Sequence, residues 1–461
     1  MTLKVYNTMS RKKEKFTPIN TNEIGFYTCG PTVYNYAHLG NLRSYIFADT
    51  LKRVLKYNGY KVRHVMNITD VGHLTGDGDM GEDKLEKESK REGKSAWDIA
   101  EFYTKAFKDD FKKLNILEPD KWTKATDYID EQINLIRILE NKGYTYKISD
   151  GIYFDTSKFK DYNKLSHLDL ETLREGARVE INKEKKNSTD FALWKFSPKE
   201  EKRQMEWDSP WGLGFPGWHV ECSAMSMAEL QGRLDIHTGG IDHINVHHTN
   251  EIAQSESAYP ETKFFNYWMH NAFLNIKGGK KMAKSENNFL TLENALIKKG
   301  IDPLVYRFAN LQVHYRKPME YSEEGIRNAE KGLRHLVNQV RSLGLDSGII
   351  ISELKKEFTK AINDDLNMPK ALAIVQEMLK SEKISNEDKR ATFVDFDKVL
   401  GFDITETITE VYPQEIADLK KQRELAREEK NWEESDKIRD EIEKLGYIVE
   451  DAKDGMKVFK K

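Results

Sequence analysis

The stretch from Ile24 to Ile68 limits the fold more than any other part of the chain. Ile24-Gly25-Phe26-Tyr27-Thr28-Cys29 alternates as a strand does, and Gly30-Pro31 stops it. Leu42, Ile46, Phe47, Leu51, Val54 and Leu55 then recur at three- and four-residue spacing, which predicts an amphipathic helix. Asn58-Gly59 supplies a left-handed cap, and Lys61 to Ile68 reads as a second strand. Strand, helix and strand within about 45 residues make a βαβ unit, so a parallel sheet opens the chain. In such a sheet the carboxyl ends of the strands gather at one edge, where ligands bind.

The remaining pattern predicts further units. With 461 residues the chain is too long for one ordinary core. Residues from about 80 to 145 read as helical and charged, and Gly151 to Leu193 as short strands and turns, which together fit an inserted subdomain. A second half of the nucleotide fold is expected from near Trp207 to about Ile276, with a turn at Gly239-Gly240. Tyr321 to Lys398 reads as helical throughout, Pro413 to Leu445 as one long charged helix, and Gly446 to Glu450 as a short terminal strand.

Composition excludes some classes. No stretch approaches the roughly 18 apolar residues of a membrane span. The lysine-rich start, Met1 to Lys15, lacks an apolar signal region, so the expected address is cytoplasmic. The net charge of −3 announces no nucleic acid partner, yet a local basic face could still carry phosphate contacts. The two cysteines, Cys29 and Cys222, are an unpromising disulfide in a reducing compartment. On their count alone they read as two buried thiols.

Three segments carry chemistry. Tyr36-Ala37-His38-Leu39-Gly40-Asn41 lies where strand gives way to helix. A helix N-terminus has free N–H groups and a positive dipole end, which suit a phosphate. Gly40 would allow close approach, and His38 and Asn41 could donate to phosphate oxygens. Read alone, the segment fits a surface turn equally well. Gly278-Gly279 followed by Lys280-Lys281-Met282-Ala283-Lys284-Ser285 could close on a triphosphate, with lysine ammonium groups neutralising a departing pyrophosphate. Alone it is also an ordinary basic loop.

The third constellation is more specific. Cys222 lies within Pro216-Gly217-Trp218-His219-Val220-Glu221-Cys222-Ser223, and His247 and Glu251 follow, four apart and on one helical face. Cys29 ends the first strand at the ligand-binding edge. Two thiolates, an imidazole and a carboxylate can meet there and would suit zinc.

Taken together, His-Leu-Gly-Asn and Lys-Met-Ala-Lys-Ser resemble, in this order, the two signature motifs of class I aminoacyl-tRNA synthetases. Thr28 to Asn35, the blocks around Trp218 and Glu251, Asp190 to Lys195, Asp364 to Leu372 and Trp432 to Gly455 resemble the cysteinyl-tRNA synthetase family specifically. The resemblance covers nearly the whole chain. It implies an α/β architecture: a Rossmann-like parallel-sheet catalytic domain with an inserted subdomain, then an α-helical bundle and a small C-terminal α+β module. The expected bounds are 1–120 and 206–276 for the catalytic halves, 121–205 for the insertion and 277–335 for a stem-contact region. The bundle is expected over 336–408 and an anticodon-binding module over 409–461.

The resemblance further implies L-cysteine, ATP with Mg²⁺ and tRNA(Cys) as reaction partners, one Zn²⁺ per chain, and a monomer. It implies His38, Gly40, Asn41, Asp242, Lys281 and Lys284 at ATP, with His38, Asn41, Lys281 and Lys284 serving catalysis. Gly30, Thr69 and Trp218 are implied around cysteine. Cys29, Cys222, His247 and Glu251 are implied on the metal, with the substrate sulfur as a fifth ligand. Trp218 could equally be core packing, and Asp242 a turn residue. Two departures stand out: Thr249 replaces a carboxylate next to the metal block, and Gly72 to Gly81 is an unusual glycine-aspartate loop. The rival readings are a ligase joining cysteine to an amino sugar, a non-catalytic tRNA-binding derivative, and a free-standing nucleotidyltransferase.

Overall fold

The structure is a computed structural model that describes residues 2–72, 83–167, 182–198, 202–276, 289–344, 348–404, 413–452 and 455–460. It forms two compact units, Met1–Phe402 and Asp403–Lys461.

The larger unit is built on a five-stranded parallel sheet. Its strands are β1 (Ile24–Thr28), β2 (Val62–Ile68), β3 (Lys121–Lys124), β4 (Ile236–Gly240) and β5 (Tyr267–Asn271), in the spatial order β5-β4-β1-β2-β3. β1 is buried at all five positions, as a central strand covered on both faces must be. It pairs with β2 from Ile24 opposite Val62 to Thr28 opposite Met66, and with β4 from Phe26 opposite Ile236. The order reverses between β1 and β4. That is the topological switch point, where the loops leaving neighbouring strands diverge and open a crevice.

Helix α1 (Leu39–Tyr57) provides the first crossover, and its apolar stripe, including Leu42, Ile46, Leu51 and Val54, is buried. Asn58 and Gly59 close it, with Gly59 at φ 85°. Helices α2 (Trp218–Leu230) and α3 (His247–Ala258) complete the layers around β4. Gly30 is required where β1 meets β2, because a Cβ there would sit 1.7 Å from the Asn67 carbonyl oxygen.

An antiparallel sheet of Thr145–Ile148, Gly151–Phe154, Phe191–Phe196 and Gly214–Pro216 runs past residue 205, the expected end of the insertion, while Lys121–Lys124, expected inside the insertion, belongs to the parallel sheet because it pairs with β2. The antiparallel sheet shares a core with helix Ile129–Asn141 through Ile136, Phe154, Leu193 and Trp194. A hairpin, Lys4–Asn7 with Lys12–Lys15, precedes β1. Helices Leu304–Leu311, Glu323–Arg341, Ser352–Ile362, Met368–Lys380 and Asn386–Leu400 form the helical region.

A buried charge cluster joins that region to the sheet. Asp49 of α1 accepts from Arg53 Nε at 2.8 Å and from Arg307 Nη2 at 2.5 Å, and Arg307 and the Asp49 side chain are fully buried. Burial opposes the charge on Asp49, but the two guanidinium groups hold its carboxyl below the usual range.

The smaller unit departs from the sequence reading. Pro413 to Leu445 is not one helix but two, Gln414–Glu428 and Trp432–Lys444. Lys430 takes φ 58°, and the Asn431 side chain caps the second helix by accepting from the Glu434 amide. Folding back lets Ile416, Leu419, Ile438 and Ile442 bury one another against Val449 and Val458. A single long helix would leave them in water, at roughly 1.5–3 kcal/mol each. The terminal strand has a partner as well: Tyr447–Ala452 pairs antiparallel with Gly455–Lys460.

Candidate active site

At the carboxyl edge of the sheet, beside the switch point, a cleft of about 410 Å³ opens. Each element around it contributes by position. Cys29 follows the last residue of β1, with Gly30 next. Thr69 follows β2, and Trp218 and Cys222 lie on the first turns of α2. Gly239 and Gly240 come from β4, and Asp242 and His243 from the 3₁₀ turn after it. His38, Gly40 and Asn41 stand at the N-terminus of α1, and His247 starts α3. All of these residues line the cleft. Lys281, Lys284 and the Gly72 to Gly81 loop beyond Gly72 lie outside the described residues.

Gly239 and Gly240 do not form the expected turn, since both belong to β4. What removes their side chains is the crowd beside them. A Cβ on Gly239 would lie 2.6 Å from His243 Nδ1 and 2.7 Å from a His248 ring carbon, and one on Gly240 2.2 Å from Asp242 Oδ1.

The floor of the cleft is a cluster of donors. Ligand-type atoms of Cys29, Cys222, His247 and Glu251 all lie within 4.8 Å of one another, and all four residues are buried. The Sγ atoms are 4.0 Å apart, and Glu251 Oε1 lies 2.9 Å from His247 Nε2 and 3.8 Å from Cys29 Sγ. His247 and Glu251 face the same way because they are one helical turn apart.

A second combination, Cys29, His237, His248 and Glu251, meets the same distance test. His237 and His248 have other partners, however. His237 Nε2 lies 3.0 Å from Glu251 Oε2, the oxygen turned away from His247, and the His237 ring stacks on Trp268 at 4.6 Å. His248 Nδ1 lies 2.7 Å from His270 Nε2. They support the donors from behind, as second-layer imidazoles do at metal sites.

The electrostatics fit a cation-seeking pocket. Burial pushes the Cys29 thiol up, and the neighbouring Cys222 and Glu251 push it further. The hydrogen bond from Cys29 outweighs burial at Cys222 and lowers its thiol, with help from His247. Burial works against charge on both His247 and Glu251. The attraction of Glu251 and Cys222 nonetheless carries the imidazole up to about 10, and His237 and His247 hold Glu251 below the carboxylate range. Anionic donors packed out of water around one imidazolium would be better neutralised by a divalent ion.

At the other end of the cleft His38 caps α1. Its Nδ1 accepts from the Asn41 amide at 3.1 Å, and Asn41 Oδ1 accepts from the His38 amide at 3.2 Å. This reciprocal cap fixes the tautomer. With Nδ1 accepting, the proton is on Nε2. Burial lowers the imidazole below its ordinary value, against its own backbone and Asp242, so the ring stays neutral and keeps that donor.

Thr69 donates from Oγ1 to Glu221 Oε2 at 3.0 Å and accepts from Asn67 Nδ2 at 3.1 Å, while Asn67 Oδ1 accepts from the Gly30 amide at 2.7 Å. Trp218 is half-buried, with its ring 4.6 Å from that of His247. Thr249 is occupied inside its own segment, donating to the Ile244 carbonyl at 2.7 Å. The sequence reading did not single out His219, His237, His243, His248 or His270. For His237, His243 and His248 the one signal was the density of histidines from 237 to 248 on and after a buried strand; His219 and His270 stand apart from that run.

Comparison with known proteins gives this geometry a family. Residues 15–331 match the model of the class I (C) tRNA synthetase catalytic domain, and residues 410–458 that of the cysteinyl-tRNA ligase anticodon binding domain. Among solved structures, a methionyl-tRNA synthetase of Mycobacterium tuberculosis superposes with a TM-score of 0.54 at 15% identity, covering 84% of this chain and 91% of that one. A LeuRS of Agrobacterium radiobacter, solved with tRNA, gives 0.57 at 12% identity, covering 85% of each chain. At such low identity these two speak for the fold alone, which with the catalytic-domain match makes the chain a class I aminoacyl-tRNA synthetase.

Cysteine--tRNA ligase 1 of Burkholderia lata is 48% identical, covering 100% of this chain and 97% of its own. The cysteine--tRNA ligase of Treponema denticola is 44% identical, covering 98% of each. The chain belongs to the cysteine--tRNA ligase family.

Proposed function

We propose that the protein activates L-cysteine with ATP to cysteinyl-adenylate and transfers the cysteinyl group to tRNA(Cys), releasing AMP and pyrophosphate. The observation that carries this reading is that one cleft joins a buried thiol-imidazole-carboxylate cluster to a helix N-terminus capped by His38 and Asn41. In this reading the cluster serves as an amino-acid site selective for sulfur and the helix N-terminus as a nucleotide-phosphate site.

Cys29, Cys222, His247 and Glu251 would hold the metal. Two thiolates on a tetrahedral zinc, with Zn–S near 2.3 Å, stand roughly 3.8 Å apart, close to the spacing found. When bound, zinc would take the sulfur of the substrate far more strongly than the hydroxyl of serine. Discrimination by a site that needs that sulfur can reach roughly 10⁴-fold, so no editing site is required.

The residues of the chain position the rest. The Nε2–H of His38 and the Gly40 amide in the first turn of α1 would meet the ATP phosphates, the absence of a side chain at Gly40 would admit them, and Asp242 would face the ribose. The cysteine carboxylate then attacks the α-phosphorus in line, and the P–O bond to pyrophosphate breaks. Catalysis of this kind is mostly positioning and charge neutralisation. Lys281 and Lys284 are assigned to the leaving pyrophosphate, and Mg²⁺ to its oxygens. In the second step the terminal ribose hydroxyl of tRNA attacks the acyl carbon and AMP leaves. Thr69, Gly30 and Trp218 are assigned to the walls of the cysteine pocket.

The match of the C-terminal unit to an anticodon-binding domain favours tRNA over an amino sugar as acceptor. We assign the protein to the cytoplasm as a monomer. Among the described residues no helix is long and apolar enough to cross a membrane.

The test is cysteine-dependent ATP–pyrophosphate exchange beside serine, repeated with Cys222→Ser and followed by charging of tRNA(Cys). Exchange specific to cysteine, lost in the variant, with charging of the tRNA, is the expected result. Exchange without charging would favour the amino-sugar acceptor. A folded, metal-loaded protein with no exchange would overturn the enzymatic reading.

A further inference from the structure

Asp365 is fully buried, far in sequence from the cleft, at the turn between helices Ser352–Ile362 and Met368–Lys380. The turn is strained. Asp365 and Leu366, neither of them glycine, take φ 59° and 54° in succession. The Asp365 carboxylate holds the turn by collecting donors from two other parts of the chain. Oδ1 accepts from the Tyr6 amide at 2.8 Å and from Tyr315 Oη at 2.6 Å, and Oδ2 accepts from Arg316 Nε at 2.7 Å. The Arg316 guanidinium also lies 4.3 Å from the centre of the Tyr6 ring.

From this carboxylate two continuous branches reach the cleft. The first runs through the N-terminal hairpin. Two residues beyond Tyr6, Thr8 Oγ1 lies 2.8 Å from His270 Nδ1. His270 Nε2 lies 2.7 Å from His248 Nδ1, and His248 Nε2 lies 3.3 Å from Cys29 Sγ. If the Thr8 hydroxyl donates, every later link donates in the same direction, and the last N–H points at the Cys29 sulfur.

The second branch runs through Tyr315. Its ring stacks on Phe47 of α1 at 4.4 Å, and its carbonyl accepts from the Ala272 amide at 2.9 Å. Met319–Tyr321 then pairs in parallel with Leu274–Ile276. Ala272, Phe273, Leu274 and Asn275 line the same cleft as His38, Gly40 and Asn41. One branch therefore ends on the sulfur side of the cleft and the other on the nucleotide side.

We infer that Asp365 is a positioning residue that ties the helical region to both sides of the cleft, setting the cysteine site through Thr8 and the ATP site through Tyr315. This rests on the proposed function and adds to it the element through which the helical region and the two small-molecule sites share one geometry.

The branches can be cut separately in the full-length enzyme. Exchange kinetics with cysteine and ATP varied in turn should show at least a fivefold rise in both KM values for Asp365→Asn, with metal content unchanged. Thr8→Ala should raise the KM for cysteine and leave that for ATP within twofold. Tyr315→Phe should do the reverse. A purely structural role would lower kcat and melting temperature and leave KM unmoved, and that result overturns the inference. So does a shift of the same KM by both branch variants. If Asp365→Asn does not fold, the two single-branch variants decide alone. Absence of exchange in the wild-type protein overturns the functional reading and this inference together. Normal wild-type exchange with KM values unmoved in the variants overturns the inference only.

Discussion

Cys29 and Cys222, the only two cysteines in the chain, bring their sulfur atoms within 4.0 Å of each other across 193 residues. One leaves the central strand and the other lies on the first turns of α2, so the pair exists only when both halves of the sheet are assembled. Metal bound there must therefore support folding as well as chemistry. Dialysis against a strong chelator should lower the melting temperature and abolish cysteine-dependent exchange together, with zinc restoring both. Cys222→Ser should lose the metal by elemental analysis and lower exchange by at least 10²-fold. Retained metal and full exchange in that variant would remove the cluster from the mechanism.

His38 has two jobs on two nitrogens, and they can be separated. His38→Ala removes the Nδ1 acceptor that caps α1 and the Nε2 donor assigned to the ATP phosphates, so it should cost about 1 kcal/mol of stability and roughly 10²-fold in exchange. His38→Asn keeps a capping acceptor and should recover most of the stability but little of the rate. Urea unfolding beside exchange kinetics reads both. Recovery of the rate by asparagine would contradict the Nε2 role.

The same ring sets an acid limb. Burial lowers the His38 imidazole below its unfolded value near 6.5. Between the two values the unfolded chain binds more protons than the folded one, so stability rises with pH there. The contribution is complete above about 6.5 and is lost as pH falls through the folded value. Protonation also destroys the Nδ1 acceptor. The exchange rate should therefore be flat on the neutral side and fall only under acid conditions, and His38→Asn should flatten that limb. An acid limb of the same size in the variant would assign it to another group.

Asp49 and Arg307 form a fully buried ion pair. Removing the carboxylate with Asp49→Ala leaves a fully buried guanidinium without its counter-charge. About 3–5 kcal/mol of stability should go, measured by denaturant unfolding. Replacing both partners with apolar residues of similar volume should restore a good part of it. A loss under about 1 kcal/mol for the single change would mean that water reaches the pair.

The ease of reading the chain from sequence varied with how local the evidence was. The first βαβ unit was legible because its strand alternation, helical spacing and Asn58-Gly59 stop all lie within one short stretch. Observed bounds of Ile24–Thr28, Leu39–Tyr57 and Val62–Ile68 follow it closely. β3 was hidden in a region that reads as helix. Lys121-Trp122-Thr123-Lys124 is a four-residue edge strand, polar at both ends, and only pairing with β2 makes it a strand. The Lys12–Lys15 strand is concealed for the same reason, being charged at every position. The four donor residues could be named from spacing and resemblance. The imidazoles behind them could not, because His219, His237, His248 and His270 lie on four different elements and meet only through the fold. The hub at Asp365 was equally invisible, since its donors come from residues 6, 315 and 316.

The reversal of strand order at β1 also bears on how the protein is made. β1 can pair with β2 as soon as residue 68 has emerged, but its other edge waits for β4, which begins at Ile236. A ribosome adding roughly 5–20 residues per second needs on the order of ten seconds or more for the stretch between. Throughout that interval Ile24-Gly25-Phe26-Tyr27-Thr28, wholly buried in the finished molecule, offers an open row of backbone donors and acceptors. The strand at the heart of the catalytic cleft is thus an aggregation-prone edge of the nascent chain, one that co-translational chaperones would protect.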